Sequence, residues 1–236
     1  MVDRVKIEQL VKEKLLARMG ENSSTTKPLD FVNEEHVRSL DKSAKYISIT
    51  SNAVITTLAR DLAETHNIEF RVVSGNQSVS SVPQNPRSIA IGCDHGGFPL
   101  KKVLISELHK WGYDVCDMGT HSTDSVDYPD FAHAVAEMVS QKNCIFGIVI
   151  DGAGIGSAMT ANKVPGVRAA HCHNLFEVKN SKEHNNANVL SLGARVIGEG
   201  LAIEMVKTWL DTPFAGGRHQ RRVDKIMATE RKYLRG

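Results

Sequence analysis

Residues 145–170 read IFGIVIDGAGIGSAMTANKVPGVRAA. They open on a continuous apolar run, Ile145 to Ile150, short and β-branched enough to be a strand buried on both faces. Polarity then changes at Asp151-Gly152-Ala153-Gly154-Ile155-Gly156-Ser157. The three glycines let backbone amides approach a ligand that a Cβ would hold off. Ser157 to Lys163 reads as a helix whose N-terminus points back at this loop. Strand, glycine loop and helix N-terminus together make a site for an anion, or for an oxygen that becomes anionic during a reaction. The glycine spacing is not the dinucleotide fingerprint, and without a following Gly-Lys-Ser/Thr it is not a P-loop. It also suits a tight strand-to-helix turn that binds nothing.

The surrounding chain narrows the choice. Its 236 residues suffice for one large core, or for one domain with an extension. Apolar content of 41% and charged content of 24% are ordinary for a globular protein. A net charge of +2 from intermingled signs argues for neither nucleic acid nor a membrane surface. No apolar run approaches the ~20 residues of a membrane span, and the charged start MVDRVKIEQLVKEKLL lacks a secretory core. Cys93, Cys116, Cys144 and Cys172 are widely spaced, which suits reduced thiols of a cytoplasmic protein better than disulfides or zinc.

Three segments follow: residues 1–20, residues 21–86 and residues 87–236. In the first, Ile7, Leu10, Val11, Leu15 and Met19 mark an amphipathic helix over 4–19, stopped by Gly20. The polar tract 21–28 isolates that helix, so its apolar stripe either folds back on its own domain or docks in a groove of another protein. In the second, helix is expected over Glu34–Leu40 and Asn52–His66, and strand over Lys45–Ile49 and Ile68–Val73. The stretch AVITTLARDLAETHNIEF resembles a segment of enzymes associated with bacterial microcompartments. That resemblance implies that residues 4–19 are an encapsulation tag for a shell protein, with the enzyme inside a microcompartment. Ser74 to Pro86 reads as a second linker.

From Arg87 onward strands and helices alternate. Strands are expected at Ser88–Gly92, Asp114–Asp117, Ile145–Ile150, Val167–His171 and Val189–Leu192. Helices are expected at Leu100–Trp111, Phe131–Gln141, Leu175–Ser181 and Leu201–Trp209. Such βα repeats predict an α/β fold, a Rossmann-like three-layer sandwich whose mostly parallel sheet carries its site at the strands' carboxyl edge. Asp94-His95, Asp151 with its loop, and Glu183-His184-Asn185 are read as gathering there, with Asp127-Tyr128-Pro129-Asp130 in a neighbouring loop. Arg218 and Arg222 are one helical turn apart and match phosphate geometry. Carboxylate, imidazole, guanidinium and amides together suit a phosphorylated polyol. His171-Cys172-His173 lacks a carboxylate at ligand spacing and is read as no metal site.

The motifs IAIGCDHGGFPLKK, DYPDFA, DGAGIGSAMTANKVPGVRAA, EHNNANVLSLGAR and GGRHQRRVDKI, in that order, resemble type B ribose-5-phosphate isomerases over about residues 87–230. The family includes isomerases of galactose and allose phosphates. The resemblance implies interconversion of aldose and ketose phosphates through a cis-enediol, without metal or cofactor, most simply ribose 5-phosphate with ribulose 5-phosphate. Asp94 and His95 would hold sugar hydroxyls or phosphate with Tyr128 nearby. The amides of Gly152, Ala153, Gly154, Ile155 and Gly156 would stabilise the enediolate. His184 would assist ring opening and Asn185 would hold a substrate oxygen. Arg195, Arg218 and Arg222 would bind phosphate or a second subunit, in a homodimer or tetramer with shared sites.

Many members carry a cysteine base where this chain has Asp151, and others a glutamate where it has Ser157. Asp151, Ser157 and His184 therefore form the expected catalytic set. A carboxylate suffices to take a proton beside a carbonyl, as glutamate does in triosephosphate isomerase. Aspartate is shorter and has a lower reference pKa than glutamate, so it needs close placement and some burial to be basic enough. The exchange also leaves open a tetrose or hexose phosphate as substrate, or a domain that only binds sugar phosphate.

Overall fold

The computed structural model describes residues 28–41, 44–73 and 87–234. The expected helix over 4–19, with its encapsulation role, and the linker over 74–86 lie outside these residues. The chain forms two compact units that divide between Gln77 and Ser78. No helix among the described residues is long and apolar enough to cross a membrane.

The first unit runs β1 (Leu29–Val32), α1 (Glu34–Arg38), β2 (Tyr46–Ile55), α2 (Thr57–Thr65) and β3 (Glu69–Val72). Its strands pair in parallel in the order β1-β2-β3. Val32, Val37, Ile47, Ile49, Ala59 and Ala63 form its core. Asn33 starts α1 by accepting the His36 amide at 3.2 Å. The helix expected from Asn52 does not begin there. Strand β2 continues to Ile55 because Val54 and Ile55 are β-branched, and Thr56 supplies the cap, its hydroxyl accepting the Ala59 amide at 3.2 Å.

The second unit contains β4 (Ser88–Cys93), α3 (Phe98–Lys110), β5 (Asp114–Asp117), α4 (Tyr128–Ser140), β6 (Phe146–Asp151) and α5 (Ile155–Ala161). It continues with β7 (Ala169–His171), α6 (Leu175–Asn185), β8 (Val189–Gly193), α7 (Glu199–Asp211) and α8 (Arg218–Tyr233). All five strands are parallel, in the order β5-β4-β6-β8-β7. Residues of α3, α6 and α7 pack one face around Ile89, Ile91, Ile148, Ile150, Leu190 and Leu192. Helix α4 packs against β4, β6 and α5. The result is a three-layer α/β sandwich. The chain reverses direction across the sheet between β4 and β6, and open α/β sheets hold ligands at such a switch point, beyond the carboxyl ends.

Two boundaries differ from expectation in ways that matter to the site. Tyr128, Pro129 and Asp130 are not a loop but the first turn of α4, where proline is tolerated because its missing amide has no intrahelical partner. His184 and Asn185 are the end of α6, which Asn186 closes in the left-handed conformation at φ 48°.

One buried charge makes stability depend on pH. Lys182, only 4% exposed, places Nζ 3.3 Å from the Phe146 ring centroid and 4.5 Å from that of Trp209. Nζ donates to the Ala187 carbonyl at 3.3 Å. Burial, and then the charge of Arg168, push its pKa from 10.5 down to about 7. Between these two values the unfolded chain keeps a proton that the folded chain has released, so stability rises with pH across the window. Below about 7 both states are charged and the gain is absent. The melting temperature of the wild type should therefore rise relative to Lys182→Met between pH 7 and 9.5. Parallel melting curves across that range would show that the lysine keeps its ordinary pKa.

Candidate active site

Strand β4 ends at Cys93 and the next residues turn sharply. The Asp94 carboxylate is buried and accepts the Gly97 amide at 2.9 Å, which fixes the turn into α3. The Asp94 amide donates to the Ile150 carbonyl at 3.1 Å, tying the turn to β6. His95 Nδ1 accepts the Val126 amide at 3.3 Å, so the proton of the neutral ring lies on Nε2. The segment after β5 is fastened to the same edge. Thr120 donates to the Cys93 carbonyl at 2.9 Å, and fully buried Lys101 pairs with Asp117. Burial pushes the Cys93 thiol up to about 12, so it is inert packing.

Strand β6 ends on Asp151, whose side chain is buried against its own loop. Oδ1 accepts the amides of Ala153, at 2.8 Å, and Gly154. Oδ2 accepts the Ser157 amide at 3.0 Å and the Ser157 hydroxyl at 2.6 Å. Gly154 makes this wrap possible at φ 81°, a left-handed conformation that favours glycine. The loop is clamped from neighbouring strands. Ser191 donates to the Gly154 carbonyl at 2.6 Å, Ala194 to that of Asp151 at 2.8 Å, and His171 to that of Ala153 at 2.7 Å.

The net proton affinity of Asp151 lies below that of an ordinary carboxylate, so burial does not leave it more basic. Burial does push it up, but the Ser157 hydroxyl and the amides of Gly154, Ser157 and Ala153 outweigh burial, and the pKa falls below the usual carboxylate range. The expected anion site of the loop is likewise smaller. The amides of Ala153 and Gly154 are committed to Asp151, leaving those of Gly152, Ile155 and Gly156 outside this carboxylate's hold.

Tyr128 and Arg195 complete this edge. A Cβ on Gly156 would lie 2.4 Å from Tyr128 Cζ, so only glycine lets the ring sit against the N-terminus of α5. The Arg195 side chain reaches within 3.6 Å of a Cβ placed on Gly152 and within 3.9 Å of one on Gly96, thus lying between the two turns. Asp94, His95, Tyr128, Asp151, Ser157 and Arg195 therefore share the carboxyl edge.

His184, Asn185, Arg218 and Arg222 are not brought there. Helix α6 runs back along the sheet, and the Asn188 carbonyl after it accepts the Gly147 amide, at the amino end of β6. From Gly147 to Asp151 is about 13 Å of strand. At this opposite edge His184 meets α8, whose Arg218 and Arg222 are exposed and one turn apart. His219, which the sequence reading did not single out, stacks on His184 with ring centroids 4.0 Å apart. No spacing rule links them, because the pair forms only when α8 folds over the end of α6.

Among the described residues no group of three or more His, Cys, Asp or Glu is arranged to hold a metal ion. His171 and His173 instead pack edge to face at 4.1 Å.

The loop geometry gives a direct test. Ser157→Ala removes one of the four donors, so the Asp151 carboxyl should protonate at higher pH than in the wild type. Titration of the carboxyl carbon by NMR reads this. An unmoved midpoint would refute the described hydrogen bonding.

Residues 89–226 match the model of a family described as Ribose/Galactose Isomerase. The chain is 42% identical over 146 residues to ribose-5-phosphate isomerase B of Escherichia coli, covering 62% of this chain and 98% of that protein. It is 41% identical over 140 residues to D-erythrulose-4-phosphate isomerase of Pectobacterium atrosepticum, covering 59% of this chain and 92% of the relative. Among solved structures, ribose-5-phosphate isomerase B of Clostridium thermocellum is 53% identical with a TM-score of 0.61, covering 62% of this chain and 99% of that one.

Proposed function

The chain belongs to the ribose/galactose isomerase family, and from that premise we propose that it interconverts ribose 5-phosphate and ribulose 5-phosphate through a cis-enediol. It is a sugar phosphate isomerase of the aldose–ketose type. The observation that carries the reading is a carboxylate inside a loop of amides at the sheet's switch point, with Asp94, His95, Tyr128 and Arg195 around it.

In this mechanism Asp94, His95 and Tyr128 hold hydroxyls of the open-chain aldose, with Arg195 on an anionic oxygen. Asp151 takes the proton from C2 while the carbonyl oxygen at C1 gains one from solvent, giving the enediol. Asp151 then returns a proton to C1, the hydroxyl on C2 gives its proton back to solvent, and the ketose forms. The amides of Gly152, Ile155 and Gly156 lower the energy of the enediolate. Asp151 has its four in-plane lone-pair positions filled, so it needs a vacancy before it can accept a proton from carbon. The Ser157 hydroxyl provides one by a single bond rotation, whereas the three amides are fixed in the backbone.

Ring opening falls to His184, with Asn185 on a substrate oxygen and Arg218 and Arg222 on phosphate. These residues stand at the far edge of the sheet from Asp151, so a second copy of the chain supplies them. The proposal is a homodimer in which each site is built from both subunits, as symmetric interfaces allow.

The similarity to an erythrulose-phosphate isomerase favours testing a four-carbon substrate as well. The saturated Asp151 favours a binding-only domain as the rival reading. A coupled assay on four-, five- and six-carbon sugar phosphates should give the highest kcat/KM with ribose 5-phosphate. Turnover of a different sugar would change the substrate, and turnover of none would establish the rival. Asp151→Asn and His184→Ala should each be inactive, yet co-folded mixtures should recover up to about a quarter of wild-type activity through mixed dimers. Mixtures that stay inactive would refute shared sites.

A further inference from the structure

Near His184 one side chain has no role in the mechanism above. His219 is buried, at 6% exposed, and lies flat on the His184 ring with the two planes 6° apart. Its Nε2 accepts from Arg218 Nε at 3.3 Å, which puts the ring's own proton on Nδ1 and leaves the ring uncharged. Nδ1 is buried and has no hydrogen-bond partner among the described residues. A second proton would break the Arg218 contact and add a cation beside Arg218 and Arg222. Burial, the His184 ring and these two guanidinium groups all oppose it, and the Glu183 carboxylate, which favours it, does not outweigh them.

The edge of His184 is fixed as firmly as its face. Asn185 donates to Asn180 Oδ1 at 3.4 Å, which turns Asn180 Nδ2 toward His184 Nδ1 at 2.9 Å. Nδ1 therefore accepts, and the proton of His184 sits on Nε2. One ring nitrogen is set by Asn180 and one ring face is covered by His219, so the Nε2–H edge is the one left to meet a substrate.

We propose that His219 is a positioning residue, whose stacked and uncharged ring holds the plane of His184 for opening the cyclic form of the sugar phosphate. This rests on the reading of His184 as the ring-opening acid. The required feature is an uncharged aromatic face, so phenylalanine should replace histidine and alanine should not. Displacing a catalytic group by about an ångström costs as much as 100-fold in rate.

The test separates ring opening from enolisation. Ribulose 5-phosphate is acyclic, because the hydroxyl that would close its ring is esterified, so enediol formation from it needs no ring-opening acid. Turnover of ribose 5-phosphate should fall about tenfold or more in His219→Ala and stay within about threefold of wild type in His219→Phe. Exchange of solvent deuterium into C1 of ribulose 5-phosphate should stay within about threefold of wild type in both. Equal losses of turnover and exchange in His219→Ala would overturn the positioning role, as would a phenylalanine variant as slow as alanine. A wild type that neither isomerises nor exchanges would overturn the isomerase reading itself, and this role with it.

Discussion

At the end of the central strand, four hydrogen-bond donors converge on the two oxygens of Asp151. The loop exists in its observed shape because that charge is there to organise it. A charged acceptor makes stronger hydrogen bonds than a neutral one, and here three of the donors are amides before α5 or in its first turn. An aspartate at this position thus exchanges reactivity for order. The same contacts that fix the loop lower the basicity of the group at its centre.

The second constraint is topological. In a parallel sheet each strand's carboxyl end faces one edge and the helix after it carries the chain back to the other. Asp151 and His184 belong to such opposite ends. The two groups proposed to act on one sugar are thereby kept apart within a chain. The proposed dimer would resolve this without any change of fold, since an interface that joins two copies can bring each chain's far edge to the other's near edge.

Much of this was legible in the sequence where local pattern and tertiary context agree. Strand β5 runs over Asp114–Asp117 as expected, and the apolar run 146–150 is the central strand. Pattern failed where a cap or a proline in a first helical turn overrode it. Pro129 suggested a loop, yet proline fits the first turn of α4, and Thr56 rather than Asn52 opens α2. Asp151 and its glycine loop were readable as a site, but the direction of the amides was not. That depends on the left-handed turn at Gly154, which composition alone does not give. The stack of His184 on His219 is a contact between helices, invisible to any spacing rule.

The place of β8 between β6 and β7 has a consequence for how the protein is made. Strand β6 leaves the ribosome well before β8, its partner on one side. The hydroxyl of Ser191 arrives with β8, and the amides of Ala194 and Arg195, which with it clamp residues 151–154, follow directly after. Pairing of this kind is non-local, and its loop-closure entropy slows it. The first unit, complete by Val73, can fold during synthesis, whereas the loop around Asp151 takes its working shape only once nearly the whole chain has been translated.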